Sequence, residues 1–150
     1  MPSVLFVCTG NLHRSPMAEY FFKAKIGSDP DWKIASAGTY TRDGMPLPPE
    51  VLMILSKAGI DARRHRSREI TREMVANHNL VLCLASNHKE ALRAEFPDLA
   101  ERIHLLSEMV GEKSDVDDPI GGPMVEFEAV AREIDTYLTQ GFERIVALAG

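Results

Sequence analysis

The chain has 150 residues, 17 Lys and Arg against 22 Asp and Glu, and a net charge of -5, with 45% hydrophobic and 26% charged residues; these are the proportions of one folded domain over residues 1–150, not of a disordered or membrane-spanning chain. The acidic balance excludes a general nucleic-acid coat, which needs a basic face, and the short apolar run Val4–Cys8, with no basic residue before it, excludes a signal-peptide core. Two cysteines, Cys8 and Cys83, cannot make a disulfide framework, so free thiols in a reducing cytoplasm are expected, away from any membrane.

In chain order, Ser3–Cys8 reads as the first strand. A helix follows from about Pro16 to Lys25, with Ser15 as N-cap, Pro16 in the first turn, Gly27 just past the end, and Met17, Phe21 and Ala24 sharing one face. The second strand, Ile34–Ala37, leads into an irregular stretch, Thr39–Pro48, and then a helix from about Pro49 to Ala58 that aligns Leu52, Leu55 and Ala58 before Gly59. The basic run Arg63, Arg64, His65, Arg66 and Arg68 reads as a solvated loop able to face an anionic substrate. After a third strand at Leu80–Leu84, a helix runs from near Ser86 to Phe96-Pro97, and a fourth strand spans Ile103–Leu106. A second irregular stretch, Gly111–Pro123, precedes a last helix from about Met124 to Ala149, weakened in its middle by Gly141, with Phe127, Val130, Ile134, Leu138, Phe142 and Ile145 on one stripe. Strands without polar alternation, interleaved with helices, predict an α/β fold whose parallel sheet is covered on both faces. The sequence has no internal repeat, low-complexity tract or interdomain linker.

The informative stretch is Val7-Cys8-Thr9-Gly10-Asn11-Leu12-His13-Arg14-Ser15-Pro16, where the first strand hands over to the first helix. Ligands of open parallel sheets bind beyond the carboxyl ends of strands, and a helix N-terminus there presents unpaired N–H groups and a positive dipole. The backbone of residues 9 to 14 can curl into a nest of amides, with Gly10 and Asn11 the residue types that tolerate left-handed dihedrals. Arg14 then closes the cradle, its planar fork matching two phosphoryl oxygens. The same positive field favours the thiolate of Cys8, which makes it a nucleophile. Neither G-x-x-x-x-G-K-[ST] nor G-x-G-x-x-G occurs, so nucleotide binding has no support.

Thiolate attack on phosphorus expels a leaving group that must be protonated, and Asp118, in Asp117-Asp118-Pro119 after the fourth strand, lies at the same sheet edge. Pro119 restricts the Asp118 backbone and Gly121-Gly122 lets the loop fold close. As carboxylate, Asp118 can then activate water to hydrolyse the phosphocysteine; neither metal nor cofactor is required.

These residues resemble the low-molecular-weight protein tyrosine phosphatase family, which includes bacterial protein arginine phosphatases. The shared landmarks are Val7-Cys8-Thr9-Gly10-Asn11, Arg14-Ser15-Pro16-Met17-Ala18-Glu19, Ser36-Ala37-Gly38-Thr39, Gly44 with Pro46, Leu55 with Gly59-Ile60, His65 to Ile70 and Asp118-Pro119. The resemblance implies a three-layer sandwich with a four-stranded parallel sheet, Cys8 as nucleophile, Arg14 as clamp, Asp118 as general acid and base, and phosphate binding by Thr9, Gly10, Asn11, Leu12 and His13. It further implies that Asn11, Ser15, Ser36 and His65 hold the loop open, the Ser15 hydroxyl facing the thiolate. Where most relatives carry a second cysteine, this chain has His13, so the protective disulfide of that loop cannot form, and Cys83 reads as a core residue. Leu12 gives the rim an apolar wall suited to a phenyl ring, with Tyr40 as the opposite wall, and favours phosphotyrosine in a protein, or a small aryl phosphate, as substrate. Phosphoarginine is the alternative, because Asn87-His88-Lys89 and Asp118-Pro119-Ile120-Gly121-Gly122 resemble the arginine phosphatases; a non-catalytic phosphate-binding module is the rival of another class. A monomer or weak homodimer is expected.

Overall fold

A computed structural model describes residues 1–150. Its central strand, β1 (Ser3–Cys8), is buried at all six positions, which is why the sequence shows no polar alternation there. Around it lie β2 (Lys33–Gly38), β3 (Leu80–Cys83) and β4 (Ile103–Leu105) in the order β2-β1-β3-β4, every pair parallel. Cys8 is in register with Gly38, and Val7 with Cys83, so adjacent strands finish level with one another at the carboxyl edge.

The helices are α1 (Arg14–Ile26), α2 (Pro49–Lys57), α3 (Arg72–Ala76), α4 (Ser86–Glu95), α5 (Met124–Gln140) and α6 (Phe142–Ala149). The two-residue period of β1 sends Val4, Phe6 and Cys8 into a core with Met17, Phe22, Leu55, Ile134 and Ile145, from α1, α2, α5 and α6. Leu5 and Val7 face the opposite core, with Val75 from α3, Leu92 from α4 and Phe96 just past the end of α4. The result is the expected three-layer α/β sandwich. Cys83 is fully buried in the second core, and burial pushes its thiol pKa up, away from reactivity.

Several expectations at element boundaries need correction. The first helix begins at Arg14, its N-cap position is His13, and the hydroxyl of Ser15 does not cap it. That phase turns Arg14, Met17, Ala18 and Phe22 inward and leaves Ala24 exposed, so Met17, Phe21 and Ala24 do not form the packed face. Helix α3, capped by the Thr71 hydroxyl accepting from the Met74 N–H at 3.2 Å, was not anticipated. The last helix is two helices: Gly141 interrupts it between Gln140 and Phe142, and a Cβ there would come within 2.8 Å of Met109 Cβ and 2.9 Å of Tyr137 O. The apolar stripe nevertheless runs on from Leu138 to Ile145. No helix is long and apolar enough to cross a membrane.

Candidate active site

The cradle starts where β1 ends. Cys8 is 2% exposed, and residues 9 to 13 leave the strand in a bend that delivers the chain to the N-terminus of α1. None of the N–H groups of residues 9 to 13 donates to another group of the protein, although the carbonyls of Cys8 and Thr9 are occupied by the Thr39 and Tyr40 N–H groups at 2.9 and 3.0 Å. Unpartnered donors gathered at a helix start form an anion site. Asn11 alone in this bend has positive φ, at 55°. Gly10 does not, and a Cβ on it would meet nothing within 4 Å, so the expectation that Gly10 supplies a left-handed turn is corrected. The tight glycine is Gly38 at the end of β2, where a Cβ would come 2.4 Å from Thr9 O and 3.1 Å from Asn11 N. Its identity lets the second strand pass against the bend.

Asn11 organises the floor through a chain whose donor directions can be assigned. The Arg68 N–H donates to Asn11 Oδ1 at 3.0 Å, which fixes the amide orientation and leaves Nδ2 to donate to Ser15 Oγ and Ser36 Oγ, both at 2.9 Å. Ser36 passes its own proton to Glu19 Oε1 at 2.5 Å. Ser15, already accepting from Asn11, has its proton free for Cys8 Sγ at 3.0 Å, with Ala37 O farther away at 3.4 Å. The hydroxyl expected to cap the helix thus serves the sulfur. His65 Nε2 donates to Asn11 O at 3.3 Å, so its bare Nδ1 accepts from the Tyr20 hydroxyl at 3.4 Å. Burial lowers the His65 pKa, the nearby Glu19 only partly opposing it, and burial together with Glu19 holds the Tyr20 phenol up at about 12. Asn11, Ser15, Ser36 and His65 therefore form one connected, buried network with Glu19. Glu19 was missed as a member; the signal was its place one turn beyond Ser15 on the buried side of α1.

Arg14 closes the other side. Its Nη1 donates to Val116 O at 2.9 Å, its Nη2 lies 3.4 Å from Thr9 Oγ1, and its buried Nε has no partner. A buried guanidinium N–H without an acceptor is costly unless an anion is its partner. Asp118, 36% exposed, presents Oδ2 to Arg14 Nη2 and Oδ1 to His13 Nδ1, both at 3.6 Å, and Oδ1 also accepts the Ile120 N–H at 3.1 Å. Gly121 takes the positive φ, 79°, that turns this loop. His13 lies edge-on to Phe127 with ring centroids 5.6 Å apart, and burial lowers its pKa more than Asp118 raises it. Leu12 is half-buried, while the Tyr40 side chain is 84% exposed; only its backbone is tied to the cradle. Of the basic run, Arg63 is paired with Asp61, Arg66 with backbone carbonyls, and only Arg68 and His65 reach the bend.

His88 is the other residue that sequence reasoning passed over as a member of the site. It is 1% exposed in the first turn of α4, with Nε2 2.8 Å from Thr9 Oγ1 and Nδ1 3.2 Å from the Ala85 N–H. Its position just past the carboxyl end of β3, beside β1, was the available signal. No group of three or more His, Cys, Asp or Glu side chains converges as metal ligands. Chemically the arrangement offers a sulfur nucleophile under a ring of donors, an arginine fork and a carboxyl group at the rim.

The family model described as low molecular weight phosphotyrosine protein phosphatase matches residues 3–147. The chain is 33% identical over 143 residues to a protein-arginine-phosphatase of Geobacillus stearothermophilus, covering 95% of each. It is 34% identical over 147 residues to the low molecular weight protein-tyrosine-phosphatase PtpB of Staphylococcus haemolyticus, covering 98% of this chain and 94% of that protein. Among solved structures, the low molecular weight protein tyrosine phosphatase from T. tengcongensis superposes with a TM-score of 0.88 at 38% identity, over 96% of this chain and 99% of that one.

Proposed function

Because the chain belongs to the low molecular weight phosphotyrosine protein phosphatase family, whose members are cysteine-based, metal-independent hydrolases, we propose that it hydrolyses phosphotyrosine in proteins through a phosphocysteine formed on Cys8. In the first step the Cys8 thiolate attacks phosphorus, the P–O bond to the phenol breaks, and Asp118 gives its proton to the departing oxygen. In the second step the Asp118 carboxylate takes a proton from water, the water oxygen attacks phosphorus, and the P–S bond breaks to return the thiolate and release inorganic phosphate. Arg14 and the amides of residues 9 to 13 hold the equatorial oxygens throughout. The observation that carries this reading is the run of unpartnered amides closed by Arg14 Nε, itself without an acceptor, over the Cys8 sulfur.

Hydrolysis of an aryl phosphate in EDTA tests it: turnover is expected in the wild type and absent in Cys8→Ser. Binding of vanadate without any turnover would instead support a non-catalytic module. Phosphoarginine is the second reading, favoured by the arginine phosphatase from Geobacillus stearothermophilus, which is as similar to this chain as the tyrosine-phosphatase relative. The half-buried Leu12 offers an apolar rim that suits a phenyl ring better than a guanidinium, and this supports the tyrosine reading. Comparing kcat/KM on phosphotyrosine and phosphoarginine peptides, before and after Leu12→Thr, decides; a ratio that does not move removes the argument from the rim. A reduced nucleophile requires a reducing compartment, which supports a cytoplasmic location.

A further inference from the structure

The structure assigns a direction to every hydrogen bond around Thr9. The backbone N–H of Ala85 can only donate, so the His88 Nδ1 that lies 3.2 Å from it carries a lone pair. The neutral ring then holds its proton on Nε2, which donates to Thr9 Oγ1 at 2.8 Å. Arg14 Nη2, 3.4 Å away, can also only donate to that oxygen. A hydroxyl oxygen has two lone pairs and one hydrogen, and both lone pairs are now taken. Thr9 Oγ1 donates to no acceptor in the protein. We propose that His88 is a positioning residue of the cradle: by saturating the Thr9 oxygen it leaves the Thr9 hydroxyl one role, donating to an oxygen of the bound oxyanion, and it holds Arg14 in place before substrate arrives. The inference rests on the reading of residues 8 to 14 as the phosphoryl site.

The arrangement persists over the working pH range because His88 stays neutral. Burial, then the facing Arg14 charge, hold its pKa at about 4, with Asp115 and Asp118 opposing weakly. A ring that only capped α4 would need Nδ1 alone; the second nitrogen reaches across from the β3 edge to the residue after the nucleophile.

The test compares kcat, KM and vanadate inhibition of aryl phosphate hydrolysis in Thr9→Val, Thr9→Ser, His88→Leu, His88→Gln and the double variant Thr9→Val/His88→Leu, with Tm measured for each. Thr9→Val, which keeps shape, and His88→Leu are each expected to lower kcat and weaken vanadate inhibition on the order of ten- to a hundred-fold, with KM changing less. Thr9→Ser restores most of the Thr9→Val loss, and His88→Gln, which keeps one acceptor and one N–H donor, most of the His88→Leu loss. The double variant is no worse than the poorer single one, since both remove the same link. Undiminished vanadate affinity in Thr9→Val, or losses that multiply in the double variant, would overturn the proposal. Failure of the phosphoryl-site reading itself shows separately, as turnover that survives Cys8→Ser.

Discussion

Replacing Arg14 by lysine keeps the charge and removes the geometry. Arg14, 6% exposed, spends Nη1 on Val116 O at 2.9 Å and leaves Nε and Nη2 on the cradle side. A lysine nitrogen is one point with three protons; it cannot hold Val116 O and also present two parallel N–H groups to equatorial phosphoryl oxygens. Each charge-assisted hydrogen bond contributes about 1.5–3 kcal/mol. Losing both in the transition state raises the barrier by roughly 3–6 kcal/mol, or about 10² to 10⁴ in kcat. The assay is aryl phosphate hydrolysis in EDTA, with Tm as a check on folding and vanadate inhibition as a second measure of transition-state binding. A folded Arg14→Lys variant within about ten-fold of the wild type would show that positive charge alone suffices there, and the argument from the fork would be wrong.

Ser15→Ala removes the proton directed at Cys8 Sγ. Because the thiolate is the leaving group of the proposed second step, that step is expected to slow by about ten-fold, so rapid mixing should reveal a burst of phenol equal to the enzyme; a linear trace at unchanged kcat contradicts it. Gly38→Ala drives a Cβ to 2.4 Å from Thr9 O. The bend must move, at a cost of about 1–3 kcal/mol in stability and a larger fractional loss of kcat, both measurable on one preparation. All five histidines, His13, His65, His78, His88 and His104, have pKa values lowered chiefly by burial. The unfolded chain therefore binds more protons between pH 6.5 and about 4, and stability is expected to fall as pH drops through that window, His88 alone accounting for up to about 3 kcal/mol. Urea midpoints that stay flat from pH 7 to pH 4.5 would contradict it.

What could be read from the sequence was whatever local pattern controls. The buried run of β1, the Cys8-to-Arg14 spacing and the Asp118-Pro119 turn announce themselves because each depends on near neighbours in the chain. The misassigned residues are those decided by distant contacts. Ser15 has the local pattern of an N-cap, but Asn11, itself fixed by Arg68, takes its lone pair, and Cys8 lies closest to its proton. Helix α3 has five residues and one buried side chain, Val75, too short a window for a period to show. Gly141 weakens a helix by propensity, yet it breaks this one where the 106–110 turn packs against it, which propensity does not reveal. His88 lies 79 positions from Thr9, and only the order β2-β1-β3-β4 makes them neighbours.

That order also explains why three separate segments agree on the sign of the charge they expect. From the β2 side, the Arg68 N–H donates to Asn11, Asn11 to Ser15, and Ser15 has its proton free for the sulfur. From the β3 side, the Ala85 N–H donates to His88 and His88 to Thr9, whose own proton remains. From the loop after β4, Val116 O accepts from Arg14 Nη1 and so aims the rest of the guanidinium at the cradle. Each chain is anchored on a backbone group whose role cannot reverse, and each delivers a donor to the same place; reversing one would leave a lone pair facing a lone pair. Asp118 stands at the rim, where Arg14 Nη2, His13 and the Ile120 N–H hold it to the side. A site built from fixed donors, with the Asp118 carboxyl group displaced to the rim, favours an anion at its centre and confines proton transfer to its edge, where a leaving group departs.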